Sequence, residues 1–107
     1  MMLEKTRSRR LVPKEGRVRD RAHMARLAGL ACSVPGCKTR SIQVHHLTCG
    51  PEAKARGLKA GDCWTVPVCV RHHGELHGRG DEREWWAALG IDPIALAGAL
   101  WAESRGG

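Results

Sequence analysis

Five cysteines and six histidines in a chain of 107 residues constrain its fold more than any other feature. A domain of this size buries only a modest core, and no Phe or Tyr is available to fill it. Four Trp and small aliphatics must do the packing, so an added staple such as a structural metal is expected. Two soft-ligand pairs can provide it: Cys32-x4-Cys37, around the turn-forming Pro35-Gly36, and Cys69-x2-His72. Ligands a few residues apart can converge on one ion, and two such pairs suit tetrahedral zinc. Cys49 and Cys63 lack such partners and read as ordinary small apolar residues.

The remaining metal-binding types form a second set, His45-His46 with His73-x3-His77. Helical residues four apart share a face, so His73 and His77 can bind one ion together. His72 is out of phase with His77, which leaves it to the zinc knuckle; the other split would pair Cys69 with His73. A strand packed antiparallel on that helix could add a third ligand and a base from His45-His46. Neighbours in a regular strand face opposite sides. Both imidazoles therefore reach one site only if the strand ends or bulges there, and Gly50-Pro51 just downstream favour an ending.

Residues 1–17 mix Arg, Lys, Ser, Pro and Gly and read as a disordered basic arm. Val18–Leu30 reads as a helix burying Met24, Leu27 and either Ala28 or Ala31, with Arg19, Arg21 and Arg26 off that face and His23 at the surface or in a cap. Ser41–His46 reads as a strand, and residues 48–61 as a long connection with a short helix around Glu52–Arg56. Trp64–Val68 is a second strand, at an edge because Pro67 donates no ladder bond. A helix follows from Val70 to about His77. Asp81 with Glu84 forms a capping box for the next, which Gly90 ends. Asp92-Pro93 opens a last helix, with Ile94, Leu96, Leu100 and Trp101 on its apolar face. The expectation is one α+β domain over residues 18–107, with its core in 32–78 and C-terminal helices in 81–107.

The charge is uneven. The net charge is +7; residues 1–26 carry nine Lys/Arg against three acids, and the rest carry nine against eight. A cationic arm is the electrostatic footprint of a nucleic-acid binder, which makes Arg7, Arg9 and Arg10 candidate DNA contacts. No apolar run approaches the ~20 residues of a membrane span, and the Arg-rich start lacks the apolar core of a secretory signal. An intracellular, cytoplasmic protein with reduced cysteines and no membrane partner is expected.

Over roughly residues 32–78 the chain resembles the HNH (ββα-metal) nuclease superfamily. The likeness rests on Val44-His45-His46-Leu47 and on the run from Cys69 through His72-His73 to His77. It looks most like small phage and prophage members with a fused zinc knuckle, such as the recombination-enhancement (Ref-like) nucleases. The resemblance implies a DNA endonuclease acting on double strands. It assigns His46 as general base and His45, His73 and His77 as ligands of a catalytic Mg, Mn, Ni or Zn ion. Cys32, Cys37, Cys69 and His72 become the structural zinc ligands. The middle position of the family pattern is usually Asn, and this chain contains none; Asp62 is the candidate in its place. Arg71, Arg79 and Lys59 are candidate phosphate contacts. The competing expectation is a non-catalytic, zinc-dependent DNA-binding module on the same scaffold.

Overall fold

The computed structural model describes residues 17–52 and 59–106. Among these the chain forms a two-stranded antiparallel sheet and four α-helices, an α+β arrangement. The order is α1 (Arg21–Ala28), β1 (Ile42–His46), a 3-10 turn (Asp62–Trp64), β2 (Thr65–Cys69), α2 (Val70–Arg79), α3 (Glu82–Ala88) and α4 (Pro93–Ser104). The arm residues Arg7, Arg9 and Arg10, and most of the helix expected around Glu52–Arg56, lie outside the described residues.

The two strands pair from Ile42 opposite Cys69 to His46 opposite Thr65. Pro67, opposite Val44, turns its carbonyl outward, where the Ser33 N–H and hydroxyl donate to it at 2.9 and 2.6 Å. Its missing N–H therefore falls on the open edge and costs the ladder nothing. The same two bonds tie the Cys32–Cys37 turn to β2. That turn closes with Cys37 N–H donating to Val34 O and with Gly36 at φ 80°, which favours glycine.

Strand β2 runs without a linker into α2. Cys69 ends the strand and caps the helix, its sulfur accepting from the His72 N–H. Gly80, at φ 83°, ends α2 in the left-handed conformation. Asp81 then caps α3 through Glu84 N–H, and Asp92 caps α4 through Ile94 and Ala95 N–H ahead of Pro93. All of β2 is buried. Val66, Val68, Leu27, Leu47, Leu76, Trp85, Trp86, Ala97 and Leu100 close the core around it. Trp85 and Trp86 meet edge to face at 4.9 Å, giving the large apolar area that the missing Phe and Tyr would otherwise supply.

Helix α1 departs from expectation. Its buried face is centred on His23 and Leu27, while Ala28 and Ala31 are exposed and Met24 only half-buried. His23 is a core residue, 2% exposed, set edge-on to Trp101 at 4.8 Å. Ser104 Oγ accepts from Arg26 Nε at 2.7 Å and lies 2.6 Å from His23 Nδ1. His23 Nε2 is buried without a hydrogen-bond partner among the described residues. Amphipathic periodicity could not anticipate this, because it counts histidine as polar.

Candidate metal centres

The Cys32–Cys37 turn, held to β2 by Ser33, and the β2–α2 junction bring four side chains together. One ligand atom each from Cys32, Cys37, Cys69 and His72 lies within 4.8 Å of the others. Cys37 and Cys69 sulfurs are 3.9 Å apart, and His72 Nδ1 is 3.6 Å from Cys32 and 3.2 Å from Cys69. With Zn–S of about 2.3 Å, tetrahedral sulfurs lie about 3.8 Å apart, so the set has the dimensions of a closed metal site. The Thr39 backbone N–H and hydroxyl draw the Cys37 thiol down to about 6, which favours its thiolate, whereas burial pushes Cys32 up. Cys49 and Cys63 are half-buried and outside the group.

A second group, His45, His73 and His77, also keeps its ligand nitrogens within 4.8 Å of one another. His45 Nδ1 is 3.2 Å from His73 Nε2, which is 3.1 Å from His77 Nε2. Nitrogens bound at ~2.0–2.1 Å lie roughly 2.9 Å apart in octahedral and 3.3 Å apart in tetrahedral coordination, so the observed spacing admits either. Three converging imidazoles could hold a divalent ion. Burial, then the proximity of His45 and His77, lowers the pKa of His73 and favours its neutral, ligating form.

The His45–His46 pair resolves by alternation. His45 turns towards α2, and His46, the last residue of β1, turns towards the 3-10 turn. His46 Nε2 lies 2.8 Å from Asp62 Oδ1. Both histidines nonetheless border one cleft of about 320 Å³ at the strand end, shared with Lys59, His73 and His77. Asp62 is drawn below the usual carboxylate range despite its burial, by the Asp20 N–H at 2.7 Å, His46 and Arg19. An ionised Asp62 only accepts, so His46 carries its proton on Nε2 and keeps a lone pair on Nδ1. Burial lowers the pKa of His46, leaving it neutral near pH 7.

Glu82 is the site residue that sequence reading missed. It is 7% exposed and accepts from His45 Nε2 at 2.8 Å, from the N–H and hydroxyl of Thr48, and from Trp86 Nε1 at 2.9 Å. Burial pushes its pKa up, but these bonds outweigh it and hold the carboxyl at about 2. It thereby fixes His45 with the proton on Nε2 and the lone pair of Nδ1 facing His73. The signal was an acid one residue past the Asp81 cap, overshadowed by the Asp81/Glu84 pairing. Arg71 and Arg79 are exposed on α2, and the structure brings neither to the cleft.

A small α+β chain with a two-stranded sheet, a Cys3His group and a three-histidine group is thus defined. The family described as "Protein of unknown function (DUF968)" matches residues 4–102, and the chain belongs to that family. No curated protein and no solved structure matches it. Among the described residues no single helix is long and apolar enough to cross a membrane.

Proposed function

We propose that this chain is a metal-dependent DNA endonuclease of the HNH (ββα-metal) type, similar to small phage and prophage members with a fused zinc knuckle. The observation that carries the reading is the convergence of His45, His73 and His77 beside a neutral His46, the four histidines lining one open cleft and Asp62 holding His46 from behind. A scaffold held by one structural ion needs no second, open set of histidines. In this reading Cys32, Cys37, Cys69 and His72 hold a structural zinc. His45, His73 and His77 hold Mg, Mn, Ni or Zn, the imidazole donors favouring the later transition ions.

His46, as general base, takes a proton from water through Nδ1, and the resulting hydroxide attacks the scissile phosphorus as its bond to the leaving sugar oxygen breaks, that oxygen taking a proton from water. Asp62 keeps the ring oriented and stabilises the imidazolium as it forms, the part usually played by an amide in this superfamily. A divalent ion held by His45, His73 and His77 would supply Lewis-acid stabilisation of the charge that develops on the phosphate and leaving oxygen. His45 stays aimed throughout because Glu82 holds its far nitrogen.

The test is cleavage of supercoiled plasmid by the zinc-loaded chain with Mg, Mn or Ni. Nicking or linearisation is expected with at least one ion, and His46→Ala should lower the rate ~10²- to 10⁴-fold without altering metal content or melting. Intact plasmid with all three ions refutes the proposal. A chain that binds one zinc and no second ion would instead be a non-catalytic binding module.

A further inference from the structure

We infer that Arg17, Arg19 and Lys59 form a phosphate-binding rim that leads a DNA duplex into the cleft on the His46 side. The inference rests on the endonuclease reading and names the path its substrate takes.

Lys59 is the one cation among the described residues that lines the cleft. Its side chain is exposed. Two arginines from the segment before α1 reach the same loop. Arg17 Nη1 donates to the carbonyls of Glu52 and Lys59 at 3.2 and 3.3 Å. Arg19 donates to Ala60 O at 2.8 Å and Lys59 O at 3.4 Å, and its Nη1 lies 3.4 Å from Asp62 Oδ1. Two backbone contacts lock the segment to that loop. Asp62 N–H donates to Val18 O at 2.8 Å, and Asp20 N–H donates to Asp62 Oδ2 at 2.7 Å.

Carbonyl oxygens fix the Arg17 guanidinium in place without cancelling its charge, and Arg19 is held by the same loop with one long contact, 3.4 Å, to the shared Asp62 carboxylate. Their carboxylate neighbours are already committed. Asp62 serves His46, Asp20 and Arg19, and Glu52 Oε1 accepts from Gly61 N–H at 2.8 Å. Duplex DNA presents closely spaced phosphates, and ordered cations beside the attacking base hold such a backbone in register. Arg71 and Arg79 stand at opposite ends of α2 and line none of the three principal clefts.

The experiment is the salt dependence of binding of a fluorescein-labelled 20-base-pair duplex by the full, zinc-loaded chain. Lys59→Ala, Arg17→Ala/Arg19→Ala and Arg71→Ala/Arg79→Ala are compared with wild type, each checked for zinc content and melting. Every phosphate contact removed should flatten the slope of log K against log salt by ~0.9. The expected losses are about 0.9 for Lys59→Ala and up to twice that for the Arg17/Arg19 pair, with no change for the α2 pair. Lys59 makes no side-chain bond among the described residues, so its variant remains informative if the arginine pair also loosens the loop. An unchanged slope in Lys59→Ala, while wild type binds and cuts, overturns the rim alone. A wild-type chain that neither binds nor cuts overturns the endonuclease reading and the rim with it.

Discussion

Replacing Glu82 tests whether a carboxylate that touches no substrate governs the three-histidine centre. Glu82→Ala strands two buried donors, His45 Nε2–H and Trp86 Nε1–H, together with the donors of the more exposed Thr48. Each buried donor left unpaired costs ~1–3 kcal/mol, so the loss is about 2–6 kcal/mol, comparable with the whole stability of a small domain. That variant can fail by unfolding alone. Glu82→Gln is the sharper probe. It keeps the shape and one accepting oxygen, but its amide NH2 faces a donor and the negative charge behind His45 is gone. Outer-shell changes of this kind cost roughly 10- to 100-fold in metal affinity. The assay is calorimetric titration of Ni or Mn into protein already holding one zinc, with circular dichroism and zinc content as controls. Weaker binding at the second site with zinc retained is expected. Wild-type affinity in a folded Glu82→Gln would refute the claim that Glu82 orients His45.

Three further outcomes follow. Cys37→Ser should release zinc and unfold the chain, because the binding energy of a structural zinc is folding energy; zinc release to a chromogenic chelator and loss of the cooperative melt check it. Burial lowers the pKa of His23 below its usual 6.5, so the folded state binds this proton less readily than the unfolded state does. Its contribution is present in full above pH 6.5 and is lost progressively as pH falls below it. His23→Phe should flatten the melting temperature against pH over that window, and an unaltered pH dependence would show His23 protonated in the core. Gly61→Ala would place a Cβ 3.0 Å from Val18 N and from Glu52 Oε1. It should cost ~1–3 kcal/mol of overpacking in urea denaturation, by pushing the Val18 segment off Asp62.

Local spacing carried much of this structure in advance. Cys32-x4-Cys37, Cys69-x2-His72 and His73-x3-His77 are each short enough that a turn or one helical turn dictates convergence, and the split of His72 from His73 follows from helical phase. The structure brings both groups together as the phase requires. Asp62 against His46 was legible only through the family resemblance, since the two lie 16 positions apart in the chain. What could not be read depends on distant packing. Glu82 meets His45 across 37 positions of chain, where the turn at Gly80 starts α3 against α2. His23 is buried because Ser104 and Trp101, about 80 residues on, supply its partners. Arg17 read as the end of a disordered arm and Arg19 as part of a helix's polar face, and only the loop carbonyls reveal them as anchored.

The two metal groups are not equivalent, because α2 serves both from different faces. Cys69 ends β2, caps α2 and belongs to the Cys3His group, and His72 follows within the first turn. An ion held by this group would therefore fix where the helix starts and how it is rotated. His73 and His77 inherit their direction from that rotation. They stand about 100° and 140° around the helix from His72 at 3.6 residues per turn, which aims them at the cleft. Their own group is bordered by solvent at His77 and braced by a single buried carboxylate on His45. Disruption of the Cys3His group should thus abolish both centres. Disruption of the three histidines should leave the first intact, since nothing in the Cys32–Cys37 turn or the β2–α2 junction depends on them. With ions bound, the Cys3His group would set the fold, and the three-histidine group, bordered by solvent, would be the one able to exchange ligand and water at the cleft.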